Sequence, residues 1–199
     1  MKIKYKFNKD KLWFTSDNHW MHENIIKYCA RPFKDVIEMN QKLVENWNNL
    51  VQPDDDIIVA GDFIHSGNLG HIQHIINSLN GRIWLVYGNH CYQNKLDRPV
   101  VQAMLYQTCD ALDMQVEDDE LEDGYMKFHI THYPCEFWTR GAVHLHGHIH
   151  SGPKAETSEK TIFKPLRYDI GVDNNNYYPI SYEQVKIIIT KQLLGYKNE

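Results

Sequence analysis

No run of apolar residues in this 199-residue chain approaches the roughly 20 that a membrane-crossing helix needs. The basic start, Met1-Lys2-Ile3-Lys4-Tyr5-Lys6, is not followed by the apolar core of a signal peptide. The expectation is a cytoplasmic protein with no membrane partner. Cysteine is sparse: Cys29, Cys91, Cys109 and Cys135 are scattered, with no Cys-x-x-Cys pair, and in a reducing compartment they are expected as free thiols. Excess positive charge is missing as well. The formal net charge is −5, which argues against extended nucleic acid as a partner, because such binding needs a basic surface to release counterions. Neither a basic tract nor an aromatic stacking platform for single strands is visible. No internal repeat, low-complexity tract or linker interrupts the chain, so one domain over 1–199 is expected.

What the chain has in abundance is histidine, twelve in all, against a hydrophobic fraction of 42% that is enough for a real core. Four histidines, His144, His146, His148 and His150, fall within seven residues, after an apolar lead of Ala142-Val143. Imidazole is the commonest protein ligand for transition metals, so a metal site is the first idea. His71 and His74, three apart in a helical stretch, are expected at the surface.

The remaining chemistry follows apolar strands. Leu12-Trp13-Phe14-Thr15 reads as a short buried strand and runs into Ser16-Asp17-Asn18-His19. Helical periodicity from Asp35 carries Val36, Met39, Leu43, Val44, Trp47 and Leu50 on one face, with Asp35 as the cap. Ile57-Ile58-Val59-Ala60 delivers Gly61-Asp62, and a helix is expected over 69–79. Ile83-Trp84-Leu85-Val86-Tyr87 delivers Gly88-Asn89-His90-Cys91. A helical stretch is expected around 100–106. An acidic hairpin turns at Asp123-Gly124, and the strand 125–131 ends at His132. Tyr168-Asp169-Ile170-Gly171-Val172-Asp173 reads as a further strand, and 182–191 as a helix capped by Ser181. Strands alternating with helices predict an α/β protein whose ligands gather outside the carboxyl ends of the strands.

Alone, Asp62 or Asn89 would be read as a turn residue. Five strand ends carrying Asp17-x-His19, Gly61-Asp62, Gly88-Asn89-His90, His132 and Gly147-His148-x-His150 are a much stronger signal. The set resembles the calcineurin-like metallophosphoesterase superfamily over about residues 12–150. Phe14-Thr15-Ser16-Asp17-Asn18-His19, Arg31-Pro32-Phe33, Thr131-His132-Tyr133-Pro134 and Ile170-Gly171-Val172-Asp173 are similar to a compact bacterial and phage subgroup. The resemblance implies a four-layer α/β/β/α sandwich with two sheets between outer helices. It implies a hydrolase, a phosphatase or phosphodiesterase acting on a small phosphate ester through two divalent metal ions. Mn²⁺ is the first choice, with Fe, Zn²⁺ or Ni²⁺ as alternatives.

By resemblance, Asp17, His19 and His150 hold one metal, and Asn89, His132 and His148 hold the second. Asp62 bridges both, and His90 is the catalytic residue at the phosphate. A hydroxide bridging the metals would attack phosphorus. Two positions depart from the family pattern. Cys91 stands where many members carry an acidic residue, and His65 lies where many carry an arginine. His22, Arg31 and Arg140 are therefore the candidates for substrate binding. His144 and His146 are read as supporting residues, and Cys91 is not expected to act as a nucleophile. The competing readings are a binding or scaffold module on the same fold and a nuclease.

Overall fold

The computed structural model describes residues 5–151 and 166–196; the first four residues of the basic start lie outside it. Two sheets lie face to face. In the first, β1 (Leu12–Thr15), β2 (Asp56–Ala60), β3 (Arg82–Val86) and β4 (Gln107–Cys109) run parallel, and β9 (Ile180–Ser181) pairs antiparallel with β1, in the order β4-β3-β2-β1-β9. The second has the order β5-β6-β7-β8. Here β5 (Leu112–Glu117) and β6 (Tyr125–Ile130) form the expected hairpin, while β7 (Val143–His146) and β8 (Arg167–Asp169) continue in parallel from β6.

Side-chain alternation explains the layers. In the first sheet Phe14, Ile58, Trp84 and Val86 point toward the second sheet, where they meet Leu112, Met114, Phe128, Val143 and Leu145. Their neighbours Ile57, Val59, Ile83 and Leu85 point the other way. There they pack under α2 (Val36–Leu50) and α3 (Leu69–Asn77), which present Met39, Leu43, Trp47, Ile72, Ile75 and Ile76. Each such fully buried side chain contributes about 1.5–3 kcal/mol. Both helices start where sequence places a cap. Asp35 accepts from the Glu38 amide, and Asn68 accepts from the amides of Gly70 and His71. The last helix, α6 (Tyr182–Tyr196), touches β1, β8 and β9 and adds Tyr182, Val185 and Ile189 to the core between the sheets. Ser181 caps it, and Gln184 closes the capping box from the first turn. The result is an α/β sandwich of two mixed sheets flanked by helices. No helix among the described residues is long and apolar enough to cross a membrane.

Several local expectations need correction. The helix expected around 100–106 is only α5 (Pro99–Gln102), and the chain then enters β4, an edge strand with too little apolar pattern to read. Directly after Gly88, Asn89 and His90 open a one-turn helix, α4 (Asn89–Gln93), that the sequence reading did not anticipate. The strand expected over 168–173 stops at Asp169. Beyond it Asn174 and Asn175 donate to the Asp169 carbonyl, curling the chain into a turn.

Candidate metal centre

The carboxyl ends of β1, β2, β3, β6 and β7 all come to one edge of the sandwich, each followed directly by one of the five motifs. Past the strand ends backbone bonds tie the motif segments together, within each sheet and, at Ser16, across to the segment after β8. Ser16 bridges to Gly171, the Asp17 amide donates to the Gly61 carbonyl, and the Gly147 amide donates to the His132 carbonyl. Asp17, His19, Asp62, His148 and His150 all have φ between +47° and +72°, an uncommon and costly backbone for residues other than glycine. That conformation turns each side chain out of the strand direction and into a shared space. Gly61 has φ +91°, and a Cβ there would collide with the His132 ring. A Cβ on Gly147 would collide with Asp17 and Ser16. Two glycines thus let the chain pass directly behind the cluster.

Four groups of potential ligand atoms result among the described residues, and two of them consist of motif residues alone: Asp17, His19 and His150, and Asp62, His132 and His148; the others are His19 with His22 and His65, and Cys29 with His150 and Asp173. Asp17 is fully buried. Its Oδ2 accepts from Ser16 Oγ at 2.6 Å and from the His148 amide at 2.9 Å, while its Oδ1 has no hydrogen-bond partner. His19 Nε2 is buried and equally unpartnered. Buried polar atoms are normally satisfied, so two orphans at one place point to an ion as their partner. Asp62 lies between the groups. Its Oδ1 is held by the His90 amide at 3.0 Å, and its Oδ2 is 3.6 Å from His19 Nε2 and 3.4 Å from His132 Nε2. Asn89 Oδ1 is 2.9 Å from His132 Nε2. The rings are anchored from behind: His132 Nδ1 on the Ala60 carbonyl at 2.9 Å, and His150 Nδ1 on Asp173 at 2.7 Å. In both, Nε2 is left facing the centre.

Burial and close packing set the charges of these groups against one another. Burial pushes Asp17 up to about 6, against the pull of His150 and His132. Burial pushes His19 down to about 2, despite Asp62. Asp62 is held at about 2: burial works to raise it, and the contacts with His132 and His19 outweigh that. Burial also opposes charge on His150, yet Asp173 and Asp17 hold it up to about 10.

A family model described as calcineurin-like phosphoesterase matches residues 10–174. The chain belongs to the calcineurin-like phosphoesterase family. A similar protein, an uncharacterized one from Methanocaldococcus jannaschii, is 33% identical over 187 residues, covering 91% of this chain and 92% of that protein. The Gene 66 protein of Mycobacterium phage L5 is 31% identical over 88 residues, covering 43% of this chain and 42% of its own. A solved protein of unknown function from Aquifex aeolicus matches with a TM-score of 0.64 and 22% identity, covering 89% of this chain and 98% of that one. That last likeness speaks for the fold alone. The family chemistry is metal-dependent hydrolysis of phosphate esters, and the His and Asp groups described above are its candidate metal-binding groups.

In this calcineurin-like phosphoesterase, two of the candidate substrate residues are placed elsewhere. Arg31 is buried; its guanidinium grips Asp173 with two bonds of 2.9 and 2.8 Å and donates to the carbonyls of Asp17 and Asn18. It braces the first motif and has no donor left for a substrate. Arg140 lines a surface pocket with Asp113, Gln115, Lys127 and Thr139, none of which belongs to the histidine cluster. Only His22 of the three stands at the centre, its Nδ1 3.4 Å from His19 Nδ1. His144 and His146 point to the opposite face of the second sheet from Val143 and Leu145. His144 accepts from the Cys135 amide and stacks on Trp138, and His146 Nδ1 bonds the Gly147 carbonyl. Cys91 is buried with its Sγ against the Gly88 amide, and burial pushes its thiol up to about 11, away from the thiolate form that attacks.

Two supporting residues escaped the sequence reading. Asp173 orients both His150 and Arg31, and its signal was present: a carboxylate following an apolar stretch, like the other motifs. Gln93 places Oε1 3.1 Å from His90 Nδ1. Its signal was hidden because residues three apart face each other only on a helix, and no helix was expected at α4.

Proposed function

We propose that this protein hydrolyses phosphomonoesters or phosphodiesters with a pair of divalent cations, Mn²⁺ first among them. Asp17, His19 and His150 would hold one cation, and Asn89, His132 and His148 the other, with Asp62 shared between them. The observation that carries this reading is the pair of buried, unpartnered atoms, Asp17 Oδ1 and His19 Nε2, beside an Asp62 oxygen within 3.6 Å of histidines from both groups. Mixed oxygen and nitrogen donors without thiolate suit Mn²⁺, Fe or Zn²⁺. When bound, such a pair supplies Lewis acidity toward phosphoryl oxygens and a lowered pKa for water.

The chain's own groups do the rest. The backbone amides of His90 and His148 fix the carboxylates of Asp62 and Asp17, so neither must reorganise during the reaction. His90 is part-exposed, with Nε2 3.9 Å from Asp62 Oδ2. If Nδ1–H donates to Gln93 Oε1, Nε2 faces the centre, where it can hold a proton for the leaving oxygen. All seven ligand positions carry competent donors, which favours an enzyme over a scaffold that has lost its chemistry.

The test is hydrolysis of an aryl phosphate and a bis-aryl phosphate by purified protein with added Mn²⁺. Turnover that chelator abolishes and Mn²⁺ restores is expected. A folded sample inert with every divalent metal would remove the proposal.

A further inference from the structure

We infer that His22 and His65 form one stacked donor pair that binds the phosphoryl group of the substrate beside His90. The inference rests on the phosphoesterase reading of the centre and adds its phosphate-binding residues. The two rings are nearly parallel, 14° apart, with centroids 3.8 Å apart. They come from different motif loops, His22 from the N-terminus of α1 (Glu23–Tyr28) and His65 from the loop after Asp62. Backbone bonds lock those loops to each other: the Trp20 amide donates to the Phe63 carbonyl at 3.1 Å, and the His65 amide to the Trp20 carbonyl at 2.8 Å. The pair is therefore built into the frame of the centre. His65 lies 5.2 Å from the His90 ring and 6.3 Å from His19, and His22 lies 6.3 Å and 5.3 Å from the same two rings.

The hydrogen bonds assign the protons in one consistent way. A neutral imidazole carries one donor and one acceptor nitrogen. His65 Nδ1 faces the Asn94 amide nitrogen at 3.4 Å, so Nδ1 accepts and Nε2 carries the proton. Asn94 uses its other hydrogen on the His90 carbonyl at 2.8 Å. His22 Nδ1 faces His19 Nδ1 at 3.4 Å. With His19 Nε2 reserved as a ligand lone pair, the His19 proton sits on Nδ1 and goes to His22, which leaves the His22 proton on Nε2. Both rings are half-buried, and among the described residues neither Nε2 has a hydrogen-bond partner. Two N–H donors thus stand ready beside His90, and hydrogen bonds to an anionic oxygen are the strong kind.

The experiment uses Mn²⁺-loaded protein and inorganic phosphate as the calorimetric probe, with metal content, melting temperature and steady-state kinetics on a bis-aryl phosphate measured alongside. His22→Ala and His65→Ala should each weaken phosphate binding and raise KM about tenfold, as expected for a lost hydrogen bond to a charged group, with kcat within about threefold. The double variant should be little worse than either single one, because the rings act together. Metal per chain should stay at the wild-type level in His65→Ala; His22→Ala, which removes the acceptor behind His19 Nδ1, is compared at saturating Mn²⁺. Unchanged phosphate affinity in both single variants would overturn the inference, as would loss of metal as the sole effect. The milder His65→Asn variant decides the matter if an alanine variant melts early. Should wild type hydrolyse no ester at all, the phosphoesterase reading falls, and the phosphate titration still judges the pair.

Discussion

Asp62 has two oxygens with different tasks. Oδ1 is held by a backbone amide, and Oδ2 faces histidines from both ligand groups. Asp62→Asn should therefore strip metal from the protein, whereas His90→Asn should retain it and lower turnover by about a hundredfold or more, the usual range for a lost proton-transfer group. Metal analysis and kinetics on the same samples check this; equal metal in both variants and wild type would speak against a shared carboxylate. Asp173 acts one layer behind. Asp173→Asn weakens the hold on His150 Nδ1 and unpairs Arg31, so metal affinity should fall about 10–100-fold, measurable by competition with a chelating dye. At this scale the sequence was informative about the residues that carry polar motifs and poor about their supports. Arg31 shows why. An arginine in a loop reads equally well as a phosphate ligand or as a brace, and only its burial against Asp173 separates the two.

The elements exist to deliver these side chains. The central strands β1, β2 and β3 are short and mostly apolar because they are buried on both faces, and β1, β2 and β7 run into residues with positive φ. Gly61→Ala would place a methyl against the His132 ring at a φ that L-residues rarely adopt. A loss of about 2–4 kcal/mol in urea unfolding is expected, together with weakened metal binding. A variant with wild-type stability and metal content would contradict the close approach. The buried strands β1, β2 and β3 and the helices α2 and α3 were legible because continuous apolar runs and helical periods leave a pattern. The edge strands β4 and β9 and the one-turn helix α4 were not, and α5 was read too long, since two to five residues carry too little pattern. Long-range pairing decides them.

The sandwich is also tied together away from the centre. Asp118, beyond the end of β5, is buried and accepts from Lys9 at 2.6 Å, from Tyr182 at 2.8 Å and from Lys186 at 3.1 Å, joining the N-terminal segment and α6 to the second sheet. Burial works to raise its carboxyl, but these three donors outweigh burial and hold it well below the usual carboxylate range. A lowered folded pKa adds stability above the unfolded value of about 3.9, and that stability is lost as pH falls through the folded value. Asp118→Ala should cost about 3 kcal/mol at pH 7, because it takes the acceptor from the buried Tyr182 phenol and the buried carboxylate from Lys9 and Lys186, which keep only more exposed partners, and the gap from wild type should narrow at pH 3. Urea titrations at the two pH values provide the check; a pH-independent gap would assign the effect to packing. None of this network could be read from the sequence, because its bonded partners lie up to 109 positions apart.

The most direct measurement for the molecule as a whole is a titration of metal-free protein with Mn²⁺, following hydrolysis of a bis-aryl phosphate. Activity should be absent at the start, rise with added Mn²⁺ and break at two equivalents per chain. A break at one equivalent, or activity that ignores the metal, would contradict a two-cation centre shared by Asp62.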